Sequence, residues 1–210
     1  MIRQAKVEDA SAIAAVHVRT WQAAYEGIVP AEYLAGLSEP EKTAFWEQQL
    51  AVNRGVNLVA VNRGRVVGWV SGGPSRDADL EGGSEVYAIY VSKEAWGQGV
   101  GRRLMKRIEK AISPCSSITL WVLRQNERAI GFYRGVGYEF DGAEKTVRFG
   151  DVALIEGRLR KMHASRRKTS RCAQSFNCAE LREAPEGQQL PPKQAPTSPG
   201  RSGRRRCQGP

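Results

Sequence analysis

The sequence is poor in the residues that build metal centres and covalent frameworks. Its 210 residues include two histidines and four cysteines. Cys115 stands alone in the body of the chain, so no disulfide network supports a fold. Cys172, Cys178 and Cys207 lie in the C-terminal stretch, and the Cys172–Cys178 spacing is followed by no paired zinc knuckle, so no metal is expected. No run approaches the roughly eighteen apolar residues of a membrane span. The N-terminus, MIRQAKVEDA, has charges where a secretory signal needs an apolar core. These absences predict a cytoplasmic protein with no membrane partner. Two nucleotide-binding signatures are also missing. No glycine-rich stretch ends in the Gly-Lys-Ser/Thr of a Walker loop, and no G-x-G-x-x-G lies early in the chain with an acidic residue about twenty positions on.

What remains is an ordinary globular composition, 41% hydrophobic and 26% charged, with an uneven charge. Residues 1–161 carry 22 basic and 19 acidic side chains; residues 162–210 carry 10 and 3. The net charge of +10 is therefore mostly a property of the tail. That tail is rich in Pro, Gly, Ser, Gln and Arg and nearly free of apolar side chains, so it cannot bury enough surface to offset chain entropy. The expected organisation is one domain over 1–161 and a disordered basic tail over 162–210. Arg204-Arg205-Arg206 has the charge to touch nucleic acid. No helix-turn-helix or RNA-binding aromatic signature accompanies it, so a solvated tail is the preferred reading.

The chain is organised around residues 84–105, SEVYAIYVSKEAWGQGVGRRLM. An apolar run, Val86 to Val91, passes through Trp96-Gly97-Gln98-Gly99-Val100-Gly101 into a cationic amphipathic segment from Arg102 to Ala111. This reads as strand, glycine loop, helix. Glycines at alternate positions let the backbone approach a ligand and adopt φ > 0. A helix beginning directly after such a loop aims its unpaired N–H groups and positive dipole end back at the loop. Arg102 and Arg103 sit poorly with that dipole unless an anion offsets them. The pattern describes a diphosphate cradle, or equally a tight strand-to-helix turn without a ligand.

A second stretch, residues 118–138, reads ITLWVLRQNERAIGFYRGVGY. The strand Ile118 to Leu123 is followed by Asn126, Ala129, Phe132-Tyr133 and Gly137-Tyr138. In order and spacing the two stretches together resemble the acyl-CoA-binding half of the GNAT superfamily of N-acetyltransferases. The first family pattern, Arg or Gln followed by G-x-G/A, falls on Trp96, Gly99 and Gly101. The second, Asn, Ala, an aromatic pair and Gly-Tyr/Phe, falls on Asn126, Ala129, Phe132-Tyr133 and Gly137-Tyr138. Trp96 departs from the family's Arg or Gln, with Gln98 a neighbouring polar group.

The resemblance implies a mixed α/β fold, a mostly antiparallel twisted sheet flanked by helices. It implies acetyl-CoA as donor and direct transfer to an amine of a small molecule or peptide. Main-chain groups near Tyr90 and Val91 would face the cofactor, with Val91 N–H as oxyanion donor, a contribution of ~3 kcal/mol. The amides of Gly97, Gln98, Gly99, Val100, Gly101 and Arg102 would bind the diphosphate. Asn126 would hold the pantetheine arm or a water. Tyr133 would be the acid for the leaving thiolate, since a phenol of pKa ~10 stays protonated at neutral pH. Glu85, at the start of the central strand, is the best carboxylate for a base, and equally a substrate-binding anion or a strand-end charge. Similar enzymes are often homodimers. An acyl-CoA-binding module without transfer, or a nucleic-acid binder working through the tail, are the alternatives.

The rest of the chain supplies the scaffold. Met1–Ala5 reads as a strand, and Glu8-Asp9 opens a helix to about Ala24. Trp21, Tyr25 and Tyr33 are candidate acceptor-groove residues, though large aromatics also fill cores. His17 is expected to be a satisfied face residue. A helix over Glu41–Ala51 precedes a hairpin turning at Asn62-Arg63-Gly64. Gly72–Gly83 reads as a loop, Pro114 as a helix stop, and 138–140 and 146–149 as two strands around Asp141-Gly142. A last strand spans Val152–Arg160, weakened by Gly157.

Overall fold

The computed structural model describes residues 1–52, 55–112 and 117–162. Pro114, all four cysteines, Arg204–Arg206 and the expected disordered tail lie outside the described residues. The chain runs β1 (Ile2–Gln4), a 3-10 turn, α1 (Ala10–Ala24), α2 (Ala31–Ala35), α3 (Glu39–Val52), β2 (Val56–Asn62) and β3 (Arg65–Pro74). It continues through β4 (Ser84–Val91), α4 (Val100–Ile112), β5 (Ser117–Leu123), α5 (Glu127–Arg134), β6 (Glu139–Phe149) and β7 (Val152–Met162). The strands form one seven-stranded sheet in the order β1-β2-β3-β4-β5-β7-β6. Every pairing is antiparallel except β4 with β5. Parallel neighbours need a crossover, and α4 is that crossover.

The periodicity of α4 shows why it lies where it does. Val100, Leu104, Met105, Ile108 and Ile112 are buried, while Arg102, Arg103, Lys106, Arg107 and Lys110 face solvent. The apolar stripe packs on Leu58, Val70, Val86 and Ile118 of the sheet. Burying each such side chain contributes ~1.5–3 kcal/mol. On the opposite face α1 and α3 bring Ile13, Ala14, Trp46 and Leu50 onto Val59 and Trp69. A third cluster joins Trp21, Val29 and Leu34 to Leu123, Val147 and Phe149, seating the α1–α2 region beside β5 and β6.

Three expectations are corrected. β3 continues through Gly72 and Gly73 to Pro74, so the connecting loop begins at Ser75. The two short strands expected around Asp141-Gly142 are one strand, β6, whose register with β7 shifts between Phe140 and Glu144. A bulge absorbs the turn-like residues: Gly142 takes φ 93°, and Ala143 N–H donates to Asp141 Oδ1 at 3.1 Å. β7 runs unbroken through Gly157 and on to Met162. Gly157 is paired on both sides, to Val122 and to Glu144. A Cβ there would lie 2.6 Å from Phe140 and 2.9 Å from Arg124. The glycine therefore permits a close approach rather than weakening the strand. Gly157→Ala should destabilise the fold by about 1–3 kcal/mol, the usual cost of overpacking, read as a lower denaturation midpoint with an unchanged m-value.

Candidate active site

β4 and β5 pair only at Ser84↔Ile118 and Glu85↔Thr119. Beyond those residues the strands part, and the sheet opens into a cleft of about 1430 Å³. Its walls come from the glycine loop, the starts of α4 and α5, the end of α1, the 75–83 loop and the β6–β7 hairpin.

The parting exposes one edge of β4. Ser92 N–H donates to Val67 carbonyl at 3.0 Å, and in an antiparallel ladder the donors alternate sides. Tyr90, opposite Trp69, therefore turns its main chain toward β3, while Val91 turns its own toward the gap. The Val91 carbonyl accepts from Trp96 Nε1 at 2.6 Å and Thr20 Oγ1 at 3.3 Å. Of the two main-chain positions expected to face a cofactor, the alternation supplies Val91 N–H and not Tyr90. The Tyr90 side chain still lines the cleft.

Gly97 and Gly99 adopt φ of 73° and 70°, a region that favours glycine. Gly101 is needed for a different reason: a Cβ there would meet the Phe132 ring at 3.2 Å. α5 thus packs directly on the first turn of α4. The first bond within α4 is Arg103 N–H to Gly99 carbonyl, so the amides of 100–102 precede the helix ladder, as at any helix start. Gly97, Gly99, Val100, Gly101 and Arg102 line the cleft. Gln98 does not: it is exposed, and its amide donates to Glu94 carbonyl at 2.7 Å. The departure at Trp96 has a counterpart. The Arg128 guanidinium, on α5, stacks 3.4 Å over the Trp96 ring, and both line the cleft. Sequence reading missed Arg128, although it lies two residues after Asn126.

Asn126 caps α5, its Oδ1 accepting from Ala129 N–H at 3.0 Å, and its side chain also engages the Tyr25 phenol. Tyr133 lines the cleft half-buried, its ring 5.3 Å from Phe132. Burial, and then neighbouring Tyr90, push its phenol above the ordinary value. Glu85 also reaches the cleft, but its side chain is 2% exposed and committed. Arg76 N–H and Nε donate to Oε2, both at 3.1 Å, and Arg76 Nη2 donates to Oε1. Three donors from one arginine tie this carboxylate to the start of the 75–83 loop.

Trp21 and Tyr25 line the cleft, Trp21 as part of the core as well. Tyr33 is not in the wall; it packs behind, 5.1 Å from Phe149 and 6.3 Å from Trp21. The 75–83 loop is fastened from below. Arg158 donates to Asp79 at 2.7 Å, to Asp141 at 2.8 Å and to Asp77 at 3.2 Å, and Trp121 Nε1 donates to Asp77 at 3.1 Å. The hydrogen bond from Arg158 holds the Asp79 carboxyl below its ordinary value. Glu156, on β7, is a further buried carboxylate in the cleft wall, and nothing in its sequence setting marks it.

A sequence model of the acetyltransferase (GNAT) family matches residues 20–138. The uncharacterized N-acetyltransferase YuaI of Bacillus subtilis is 35% identical over 140 residues, 66% of this chain and 79% of that protein. The peptidyl-lysine N-acetyltransferase YjaB of Escherichia coli is 30% identical over 142 residues, 67% of this chain and 83% of its own length. The PaiA N-acetyltransferase of Thermoplasma acidophilum, solved with coenzyme A, superposes with a TM-score of 0.60 at 19% identity, covering 78% of this chain and 98% of that one.

His17 is buried behind the cleft, stacked on Tyr90 at 4.8 Å, and does not line it. Contrary to the sequence expectation, its Nδ1 has no hydrogen-bond partner among the described residues. Burial, then the charge of Lys42, push the imidazole from 6.5 down to about 3. Between those values the unfolded chain binds a proton that the fold refuses. The His17 contribution is thus fully present above pH 6.5 and is lost as pH falls toward 3. The slope is at most about 1.4 kcal/mol per pH unit. Denaturant titrations over a pH series should show it, and His17→Phe should flatten it.

Proposed function

Because the chain belongs to the GNAT family of N-acetyltransferases, we propose that it moves an acetyl group from acetyl-CoA directly to a primary amine of a small molecule or peptide. The observation that carries this reading is the cleft through the parted sheet, which joins the glycine loop on one side to an aromatic-walled bay on the other. The residues present fit a CoA thioester. Amides at the start of α4, with Arg102 and Arg128 beside them, suit a diphosphate. The exposed edge of β4 suits an extended pantetheine arm, and Val91 N–H suits a thioester oxygen. The acyl donor brings an activated carbonyl and a thiolate leaving group.

In this reading the acceptor nitrogen, once neutral, attacks the carbonyl carbon through a tetrahedral intermediate. Val91 N–H stabilises the developing oxyanion. The C–S bond breaks as Tyr133 gives its proton to sulfur, and the nitrogen, cationic after attack, passes one of its two protons to the phenolate and keeps the other as the amide N–H. Burial, and then Tyr90, raise the phenol, which keeps it protonated until the thiolate leaves. YjaB is named for acetylating peptidyl-lysine, which favours an aliphatic ammonium as acceptor.

Acetyl-CoA with an amine panel should give amine-dependent thiol release. Binding of CoA without release would leave only an acyl-CoA-binding module. Tyr133→Phe should lower kcat by about 10²–10⁴-fold with CoA affinity little changed; an unchanged kcat removes Tyr133 as the acid. Gly99→Glu places a strained side chain and a like charge at the diphosphate position and should abolish CoA binding, measured by calorimetry.

A further inference from the structure

An amine in water at neutral pH is an ammonium and has no lone pair to attack with, so acetyl transfer needs a group that removes its proton. We propose that Glu156 is this base. The inference rests on the acetyl-transfer reading above and goes beyond it, because it places the acceptor's cationic head and reassigns Glu85.

Among the described residues four carboxylates line the cleft, Asp77, Glu81, Glu85 and Glu156, and they differ in where they lie; Glu81 is exposed on the 75–83 loop. Glu85 receives three donors from Arg76, and Asp77 is bound by Arg158 and Trp121. Both therefore fasten the 75–83 loop. Glu156 is buried in the wall of the bay, at 9% exposure, with Lys145 Nζ at 3.4 Å among its partners. Lys145 is 41% exposed and also lies 4.2 Å over the Trp121 ring, so it has a second seat when it leaves the carboxylate. A lysine ammonium against Glu156 is chemically what an incoming acceptor would be.

The strand register fixes the direction in which Glu156 points. Glu156 is opposite Leu123 on β5 and Lys145 on β6, and cross-strand partners share a face. Leu123 packs with Trp21 and Phe149, so that face is the acceptor bay. The titratable groups around Glu156 come from several elements: Lys145 on β6, Tyr25 after α1 and Tyr90 on β4. Arg158, two residues along the same face of β7, is occupied by Asp77, Asp79 and Asp141. Tyr25, Tyr90, Tyr133 and Glu156 line the same cleft, so base and acid open onto one space. The ammonium gives its first proton to Glu156, which later releases it to water. The neutral nitrogen forms the new N–C bond, the C–S bond breaks, and sulfur takes the proton of Tyr133. The second nitrogen proton returns to Tyr133.

The test uses the full chain with acetyl-CoA and phenethylamine, spermidine and a lysine-containing peptide as acceptors, followed by thiol release between about pH 6 and pH 10. Glu156→Gln should lower kcat/KM at neutral pH by about 10²–10⁴-fold and remove the acidic limb of its profile. The deficit should shrink as pH approaches the acceptor's own pKa, while calorimetric CoA affinity stays unchanged. Lys145→Gln should lower the acceptor KM, because the lysine no longer competes for the carboxylate; a merely structural Lys145–Glu156 pair predicts no such gain. Glu85→Gln should lower thermal stability and keep the wild-type profile. A Glu156→Gln enzyme with the wild-type pH profile, or a loss that tracks Glu85→Gln instead, overturns the proposal while leaving acetyl transfer standing. If Glu156→Gln does not fold, an unchanged or raised acceptor KM in Lys145→Gln overturns it alone. A wild-type chain that binds CoA and releases no thiol with any amine overturns both readings.

Discussion

The structure depends on a parallel pairing that stops after two residues. β4 and β5 are held together at Ser84 and Glu85, and past that point the outer edge of β4 has no neighbour. A buried main-chain group without a partner costs about 1–3 kcal/mol, so such an edge persists only where something else completes it. The Val91 carbonyl is completed within the chain, by the indole of Trp96 and the hydroxyl of Thr20. The Val91 amide, turned the same way, is left facing the cleft. One strand end therefore ties down the glycine loop through its acceptor and turns its donor toward the cleft.

The surrounding packing keeps that gap open. α4 crosses from β4 to β5 and is buried along one stripe against the sheet, which fixes the angle of the glycine loop. α5 presses Phe132 against Gly101, so the two helix starts converge on one point. On the far side the 75–83 loop is held by Arg76 to Glu85 and by Arg158 to Asp77 and Asp79. These are structural uses of charge. The desolvation of Glu85 and Arg158 offsets much of the attraction, so these pairs hold shape more than they add stability.

The sheet, its flanking helices and the glycine loop were legible because they are written in local patterns. The stripe of α4 repeats at helical spacing, β4 is a continuous apolar run, and Gly97 and Gly99 announce φ > 0. The misreadings share one cause, which is that they depend on residues far apart in the chain. Gly157 looks like a strand breaker until Phe140 and Arg124 are seen to close over it. Asp141-Gly142 looks like a turn until β7 pairs across it as a bulge. Tyr33 has the composition of a groove residue and the position of a second layer.

Trp96 departs from the motif, and the indole takes on two contacts of its own. At the position where the resemblance calls for a cationic or amide side chain, the chain has an indole, and an indole offers a diphosphate no charge. It does offer a donor, spent on the Val91 carbonyl, and a face, on which Arg128 rests. The guanidinium is thereby delivered to the same mouth of the cleft from α5 instead of from the loop. A planar cation stacked on an aromatic face loses less side-chain freedom on binding than one on a solvated stem, and it keeps its edge donors for an anion. The positive charge at the loop then depends on α5 being folded and packed on Gly101. That couples the cradle to the helix carrying Tyr133, so the part that would hold the donor and the part that would protonate its sulfur stand or fall as one unit.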